Sequence, residues 1–207
     1  MRRRCLLRRA LRVAAIALPG AGASVWLAAA HGTAHAAGAA GAAGAAGAAA
    51  SPPRELLIEW PGARMQGRAQ MRFLGLHVYD IRLWTADAPL GPEDWTRRPL
   101  ALEIEYAREL PGRRIAERSL DEMRRAGPIA AEAAERWLQA MLQFFPDVRP
   151  GDRITGMQRP DGHVRFFVNG QLRGEKRDAD FARRFFGIWL APVTSEPKLR
   201  AALLGLP

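Results

Sequence analysis

The sequence predicts an α+β domain in which helices pack on one face of an antiparallel sheet. Segments that alternate apolar and polar residues fall in two groups, and turn signals such as Pro160-Asp161-Gly162 and Asn169-Gly170 separate neighbouring strands. Segments with apolar residues at helical spacing also fall in two groups, one after each group of strands. Strands joined by tight turns, with the helices grouped together, indicate antiparallel pairing.

The first 36 residues have the pattern of a secretory signal peptide. Six arginines occur by Arg12, an apolar stretch of small residues follows, and Ala34-His35-Ala36 matches a cleavage site. A retained membrane anchor is the alternative, but Pro19 and several glycines interrupt a stretch barely long enough to span a bilayer. We therefore expect export to the periplasm, by a route that the sequence leaves open, and no stable membrane span after cleavage.

Residues 37–51 form an alanine- and glycine-rich linker, and residues 52–207 form one domain with a core of its own. The whole chain has a net charge of +10, and six positive charges and no acid lie in the predicted signal, which leaves +4 (10 − 6). This modest charge gives little support to nucleic-acid binding. It is consistent with an ordinary basic surface, or with attraction to anionic lipid or an acidic partner.

The residues that could hold a metal or act as nucleophiles are few. The single cysteine, Cys5, lies in the predicted signal, so the mature chain has no thiol for a disulfide, a nucleophile or a metal site. Only His77 and His163 lie beyond the signal and linker, without metal-ligand spacing. We expect no metal and no cofactor, and His77 is a weak candidate for an acid or base.

The first group of strands starts with a predicted short strand at Leu56–Trp60, which Pro61-Gly62 ends. A long strand follows in which Tyr79, Ile81 and Leu83 share one face, and Gly75 within this pattern suggests a bulge or a close approach to the backbone. Residues 100–106 predict a half-buried strand with an acidic outer face.

The remaining segments alternate between helices and strands. Residues 111–127 predict a charged helix, and residues 134–145 a more amphipathic helix that Pro146 ends. Strands at 153–157, 163–168 and 171–176 then form hairpins.

The chain closes with two apolar helices. The first starts at Asp180 and places Phe181, Phe185 and Trp189 on one face, and Ser195 is predicted to cap the second. An apolar face of this size needs a sheet to pack on, and the space between the two layers would take a small apolar ligand.

Four segments together resemble the chalcone isomerase superfamily, in its bacterial exported branch. They are GRAQMRFLGLHVYDIRLWT, LPGRRIAERSLDEM, DRITGMQRPDGHVRFFVNGQ and FFGIWLAPVTSEPKLRAALLG, and the resemblance runs through residues 54–206. It implies an open-faced β-sandwich: a large antiparallel sheet with a helical layer on one face and a ligand cleft between them.

The resemblance also implies positions for a binding site. The arginine that positions the substrate anion in the plant cyclases falls at Arg68 or Arg72, and their threonine falls at Tyr79. Their catalytic tyrosine and asparagine fall at Ile115 and Glu122, which lack that chemistry. Other branches bind fatty acids without known cyclase activity and keep an arginine for the carboxylate, which fits a guanidinium well.

The favoured function is therefore a non-catalytic binder of a small apolar acid such as a fatty acid. An isomerase (intramolecular lyase) on an unknown substrate and an envelope protein-interaction module remain alternatives. The two candidate arginines could instead be solvated or paired with Glu103 or Glu105, and the aromatic stripe could be plain core. The predicted ligand-binding residues are Arg68, Arg72, Tyr79, Tyr106, Phe185 and Trp189, and no catalytic residue is predicted.

Overall fold

A computed structural model describes residues 51–207 of this protein. The predicted signal peptide (1–36) and all but the last residue of the predicted linker (37–51) lie outside the described residues, so both stay predictions. No helix in the described part is long and apolar enough to cross a membrane.

Six strands form one antiparallel sheet, and their order in the sheet is their order in the chain. Each strand therefore pairs with the next one along the sequence, and the turn signals predicted the last two of these five pairings. The strands are β1 (Arg64–Phe73), β2 (Leu76–Thr85), β3 (Leu100–Tyr106), β4 (Arg153–Gln158), β5 (His163–Val168) and β6 (Gln171–Arg177).

Four of the five α-helices in residues 51–207 cover one face of the sheet, which we call the inner face. They share a single apolar core with inner-face side chains such as Ile81, Leu102 and Phe166. This arrangement confirms the predicted α+β fold with a helical layer on one face. The helices of this layer are α2 (Gly112–Met123), α3 (Ala131–Phe144), α4 (Ala179–Leu190) and α5 (Pro197–Leu204), and α1 (Arg54–Glu59) lies on the other face.

The strand predicted at Leu56–Trp60 is wrong, because these residues belong to helix α1 and its C-cap. The side chain of Leu56 packs in a small second core with Trp84 and Phe167 on the outer face of the sheet. Glu55 is buried beside it and accepts hydrogen bonds from Arg153 Nη2 (3.1 Å) and Thr155 Oγ1 (2.7 Å). An apolar run this short does not distinguish a strand from one turn and a half of helix.

The predicted role of Gly75 is also wrong. Gly75 and Leu74 form the two-residue turn between β1 and β2, with φ of 80° and 50°, and a Cβ on Gly75 would meet nothing within 4 Å. The close approach occurs at Gly67, where a Cβ would lie 2.3 Å from the carbonyl oxygen of Leu203 in α5. Helix α5 thus packs closely on the inner face of strand β1, where a side chain larger than glycine at position 67 would not fit.

The outer face of β3 is less exposed than the sequence predicted. Glu103 retains only 5% of its accessible surface, and it accepts hydrogen bonds from Trp84 Nε1 (2.7 Å) and Arg82 Nη1 (3.3 Å). Burial raises the pKa of its carboxyl group. The acidic residues of β3 are therefore part of a partly buried polar network under α1, rather than a solvated stripe.

Candidate functional site: an apolar cavity under helices α2 and α4

A cavity of about 570 Å³ lies between the inner face of the sheet and helices α2 and α4. This volume is in the range of small-molecule pockets, roughly 300–1,000 Å³. Most lining side chains are aliphatic or aromatic, and several at one end are well exposed, so the cavity opens to solvent there. The lining comprises Met71, Phe73, Leu76, Val78, Tyr79, Ile104, Tyr106, Arg108, Leu110, Arg114, Ile115, Arg118, Ser119, Glu122, Phe145, Ile154, Phe185, Ile188, Trp189, Ser195 and Glu196.

An irregularity in the first hairpin shapes one wall of the cavity. Met71 pairs with Tyr79, but the next residue, Arg72, pairs with His77, so β2 carries one more residue than β1 at this point. Val78 is the extra residue, and both Val78 and Tyr79 line the cavity. Such a bulge changes the direction of nearby side chains, which is why bulges often lie beside functional sites.

The hydroxyl of Tyr79 is held by the aromatic helix α4. Trp189 Nε1 donates a hydrogen bond of 3.0 Å to Tyr79 Oη. Because an indole nitrogen can only donate, the hydroxyl is the acceptor here and keeps its own proton for another partner. Burial raises the pKa of Tyr79 to about 12, so this hydroxyl stays neutral at physiological pH.

Tyr106 lies beside Tyr79 on the neighbouring strand. The two rings meet edge to face with centroids 6.1 Å apart. Burial raises the pKa of Tyr106 strongly, and no side-chain or backbone hydrogen bond from residues 51–207 offsets this effect. The cavity thus contains two neutral tyrosine hydroxyls that can each donate a hydrogen bond to a ligand oxygen.

Glu122 is the centre of a polar cluster in the cavity wall. Its carboxylate lies 2.5 Å from Arg118 Nη2 and accepts a 2.9 Å hydrogen bond from Ser195 Oγ. Arg125 Nε lies 3.6 Å away. The predicted capping of α5 by Ser195 is therefore wrong, since Ser195 ties α5 to α2 instead and the N-cap residue is Glu196. The charge of Glu122 is compensated within the protein.

The two arginines predicted as anchors do not line the cavity. Arg68 is exposed opposite Arg82 on the outer face, and Arg72 Nη1 donates a 3.3 Å hydrogen bond to the carbonyl of Gly75 at the hairpin turn. His77, the weak acid–base candidate, does not line the cavity either, and its Nε2 lies 3.2 Å from Asp80 Oδ2.

Three other arginines do line the cavity, namely Arg108, Arg114 and Arg118. Arg108 follows the end of β3 in a segment without periodicity, so no sequence pattern marked it. Arg114 and Arg118 are one helical turn apart on α2, and this spacing could have identified them.

The aromatic predictions for the site fit the geometry. Phe185 and Trp189 line the cavity, whereas Phe181, one turn earlier on α4, is fully buried in the core beneath it. The stripe is therefore both core and cavity wall. The positions that the family resemblance assigned to Tyr79, Ile115 and Glu122 also meet in this cavity. No cluster of potential metal ligands occurs within residues 51–207.

Comparisons with known proteins point to one family. A model of the family described as "Chalcone isomerase-like" matches residues 67–205. An uncharacterized protein of Haemophilus influenzae is 31% identical over 139 residues. The match covers 67% of this chain and 66% of that relative, so this chain spans just under two thirds of the relative's length. Among solved structures, a fatty-acid binding protein of Arabidopsis thaliana has a TM-score of 0.57 at 12% identity, covering 69% of this chain and 87% of that one. This structural similarity shows the fold.

Proposed function

Because this chain belongs to the chalcone isomerase-like family, we propose that it binds a small apolar acid, such as a fatty acid, in the cavity under α2 and α4. The fold and the Arabidopsis neighbour, a fatty-acid binding protein, fit a non-catalytic member of the family. The observation that carries the proposal is the combination of an apolar cavity with two neutral tyrosine hydroxyls and an arginine that no carboxylate of residues 51–207 approaches within 4.0 Å.

The lining of the cavity divides into a part for a hydrocarbon tail and a part for an acid group. Ile104, Ile154 and Phe185 provide apolar surface between the sheet and α4, where a tail gains about 25 cal/mol for each Å² removed from water. Tyr106 and Arg108 are two residues apart at the end of β3. A carboxylate beside them would accept hydrogen bonds from a hydroxyl and a guanidinium.

Arg108 is the arginine most available to a ligand. It is exposed at the cavity mouth, and no carboxylate within residues 51–207 lies within 4.0 Å of it. Arg118 is paired with Glu122, and Arg114 lies 3.4 Å from Glu117. A ligand carboxylate would therefore meet an unpaired positive charge at Arg108, without displacing an existing ion pair.

The isomerase alternative has less support from this cavity. The family resemblance places Ile115 and Glu122 where the cyclases use a tyrosine and an asparagine. Ile115 has no polar group, and Glu122 is already engaged by Arg118 and Ser195. These residues provide neither a donor for a developing enolate nor a free base.

We also propose that the protein acts in the periplasm after export. The support is the sequence of residues 1–36, with its basic start, apolar stretch and Ala34-His35-Ala36. The mass of the protein isolated from the envelope fraction tests this proposal. A mature chain starting near Ala37 agrees with it, whereas a chain that keeps Met1 in the cytoplasmic fraction contradicts it.

Calorimetric titration of delipidated protein with palmitate tests the ligand proposal. We expect saturable binding of one palmitate per chain, and a roughly tenfold or greater loss of affinity in Arg108→Gln, because a hydrogen bond to a charged group contributes about 1.5–3 kcal/mol. Arg173→Gln is the matched control, since Arg173 is exposed on the distant edge strand β6. Equal affinities of the two variants would contradict the assignment of Arg108.

A further inference from the structure

We propose that the tip of the β1–β2 hairpin docks onto an anionic lipid bilayer and brings the cavity mouth to the membrane surface. We call Phe73, Leu74 and Leu76 the hairpin tip. The inference rests on the proposed function in one respect, namely that the cavity takes an apolar acid, which would then enter from the bilayer. The docking itself does not depend on a ligand in the cavity.

Exposed apolar surface is concentrated at the hairpin tip. Phe73, Leu74 and Leu76 expose 62%, 86% and 53% of their surfaces, and they occupy three of four consecutive positions. The other large exposed apolar side chains of residues 51–207 lie apart from it, with Leu57 and Ile58 on α1, Leu172 on β6 and Val193 between α4 and α5. Single exposed apolar residues are ordinary, but three together at a projecting turn indicate a contact surface.

The backbone of Leu74 makes this apolar turn more unusual. Its φ of 50° lies in the left-handed region, which is unfavourable for a residue with a Cβ. The β5–β6 hairpin uses the same two-residue geometry, with Asn169 at 49° and Gly170 at 83°. Asparagine tolerates this conformation better and suits water. No residue of 51–207 covers this strained leucine, so it contributes little to the fold of that part, and its exposure fits a contact surface for a partner.

The charges beside the hairpin tip favour an anionic partner. Arg72 is exposed at the base of the turn, and Arg108 and Arg114 are at the cavity mouth. Within residues 51–207, no carboxylate lies within 4.0 Å of Arg72 or Arg108. Acids are present nearby, since Glu109 is exposed and Glu117 pairs with Arg114. Two unpaired arginines beside an apolar tip match a surface of anionic head groups over acyl chains.

The hairpin tip is continuous with the cavity mouth. Phe73 and Leu76 belong to the tip and also line the cavity, whereas Leu74 does not line it. A tip inserted among head groups would thus join the acyl-chain region to the cavity along an apolar path. A fatty acid, which is poorly soluble as a monomer in water, could then enter without crossing bulk solvent.

The test compares wild type with Leu74→Asn in cosedimentation with vesicles. The full chain is mixed with vesicles of dioleoylphosphatidylglycerol or of dioleoylphosphatidylcholine, and all variants share the same first fifty residues. We expect tighter binding to the anionic vesicles and weakening by salt. We expect about a tenfold loss in Leu74→Asn, because a leucine leaves the interface. Ile58→Asn, on the outer-face helix α1, should bind as wild type does.

Unfolding does not explain the expected loss, because asparagine suits the turn. Leu74→Asn should keep or raise the Tm, and its palmitate affinity should equal that of wild type. Equal vesicle binding by wild type and Leu74→Asn would overturn the docking proposal. The proposal would also be overturned if the wild-type protein did not bind vesicles and instead formed a dimer that Leu74→Asn abolishes. If vesicle binding falls in Leu74→Asn while no form binds palmitate, docking stands and the ligand proposal fails.

Discussion

Removal of one oxygen atom at Tyr106 separates a ligand-binding role from a structural role. In Tyr106→Phe the hydroxyl disappears, and no hydrogen bond within residues 51–207 is lost, so the free energy of unfolding should change by less than about 0.5 kcal/mol. A hydrogen bond to a bound carboxylate contributes about 1.5–3 kcal/mol, so palmitate affinity should fall roughly 10- to 100-fold. Calorimetric titration measures the affinity, and thermal unfolding measures the stability.

Tyr79→Phe is the matched comparison, because it removes the same atom from the same cavity. Here the hydroxyl accepts the hydrogen bond from Trp189 Nε1, and its loss leaves a buried donor without a partner. The unpaired donor lowers the free energy of unfolding by about 1–3 kcal/mol, and each kcal/mol lowers the Tm by about 2–4 °C. The reasoning is refuted if Tyr106→Phe lowers the Tm as much as Tyr79→Phe does and leaves palmitate affinity unchanged.

Two further predictions concern alkaline pH and the shape of the cavity. The folded-state pKa of Tyr79 is raised to about 12 from an unfolded value of 10.0, so its contribution is complete below about pH 10 and is lost as pH rises towards 12. The loss in the free energy of unfolding is at most about 3 kcal/mol, since one pKa unit corresponds to about 1.4 kcal/mol. Urea unfolding of wild type and Tyr79→Phe across this range measures it, and equal pH profiles of the two proteins would contradict it. Ser119 lines the cavity, and within residues 51–207 its hydroxyl donates a hydrogen bond only to its own helix, to the carbonyl oxygen of Ile115 at 2.8 Å. Ser119→Phe should therefore fill part of the cavity and shift the preferred fatty acid towards shorter chains in competition assays, and an unchanged preference would place the ligand elsewhere.

Periodicity alone identified most of the helices and strands of this fold. The helix with Trp137 and Met141, the strands around Ile154 and Phe166, and the closing helix are all in the structure, because each buries one continuous apolar face. Helix α4, the first of the two closing helices, starts at Ala179, one residue earlier than predicted. Asp178 caps it and accepts a 3.0 Å hydrogen bond from the backbone nitrogen of Phe181.

Features that depend on contacts between distant segments could not be predicted. Helix α1 was misassigned because its side chains are stabilised by partners about a hundred residues away, as in the hydrogen bond between Glu55 and Thr155. The turn at Leu74 was missed because leucine is an unusual residue for the left-handed region. Likewise, nothing local to Gly67 reveals that the backbone of α5 passes over it.

The site was predictable where it follows from strand and helix faces. Tyr79, Phe185 and Trp189 line the cavity because each lies on an apolar face that points between the layers. Arg68 and Arg72 were chosen by resemblance, and the alternation of β1 places Arg68 on the opposite face of the sheet. Arg108 lies after the last residue of β3, where only the three-dimensional path of the chain brings it to the cavity.

The most direct test of the account is the stoichiometry and affinity of palmitate binding to the delipidated wild-type protein. The account predicts saturable binding of one molecule per chain, with an affinity that falls in Tyr106→Phe and Arg108→Gln. Heat changes no larger than those of dilution, across fatty acids of all chain lengths, would contradict the central claim that this cavity is a binding site for an apolar acid.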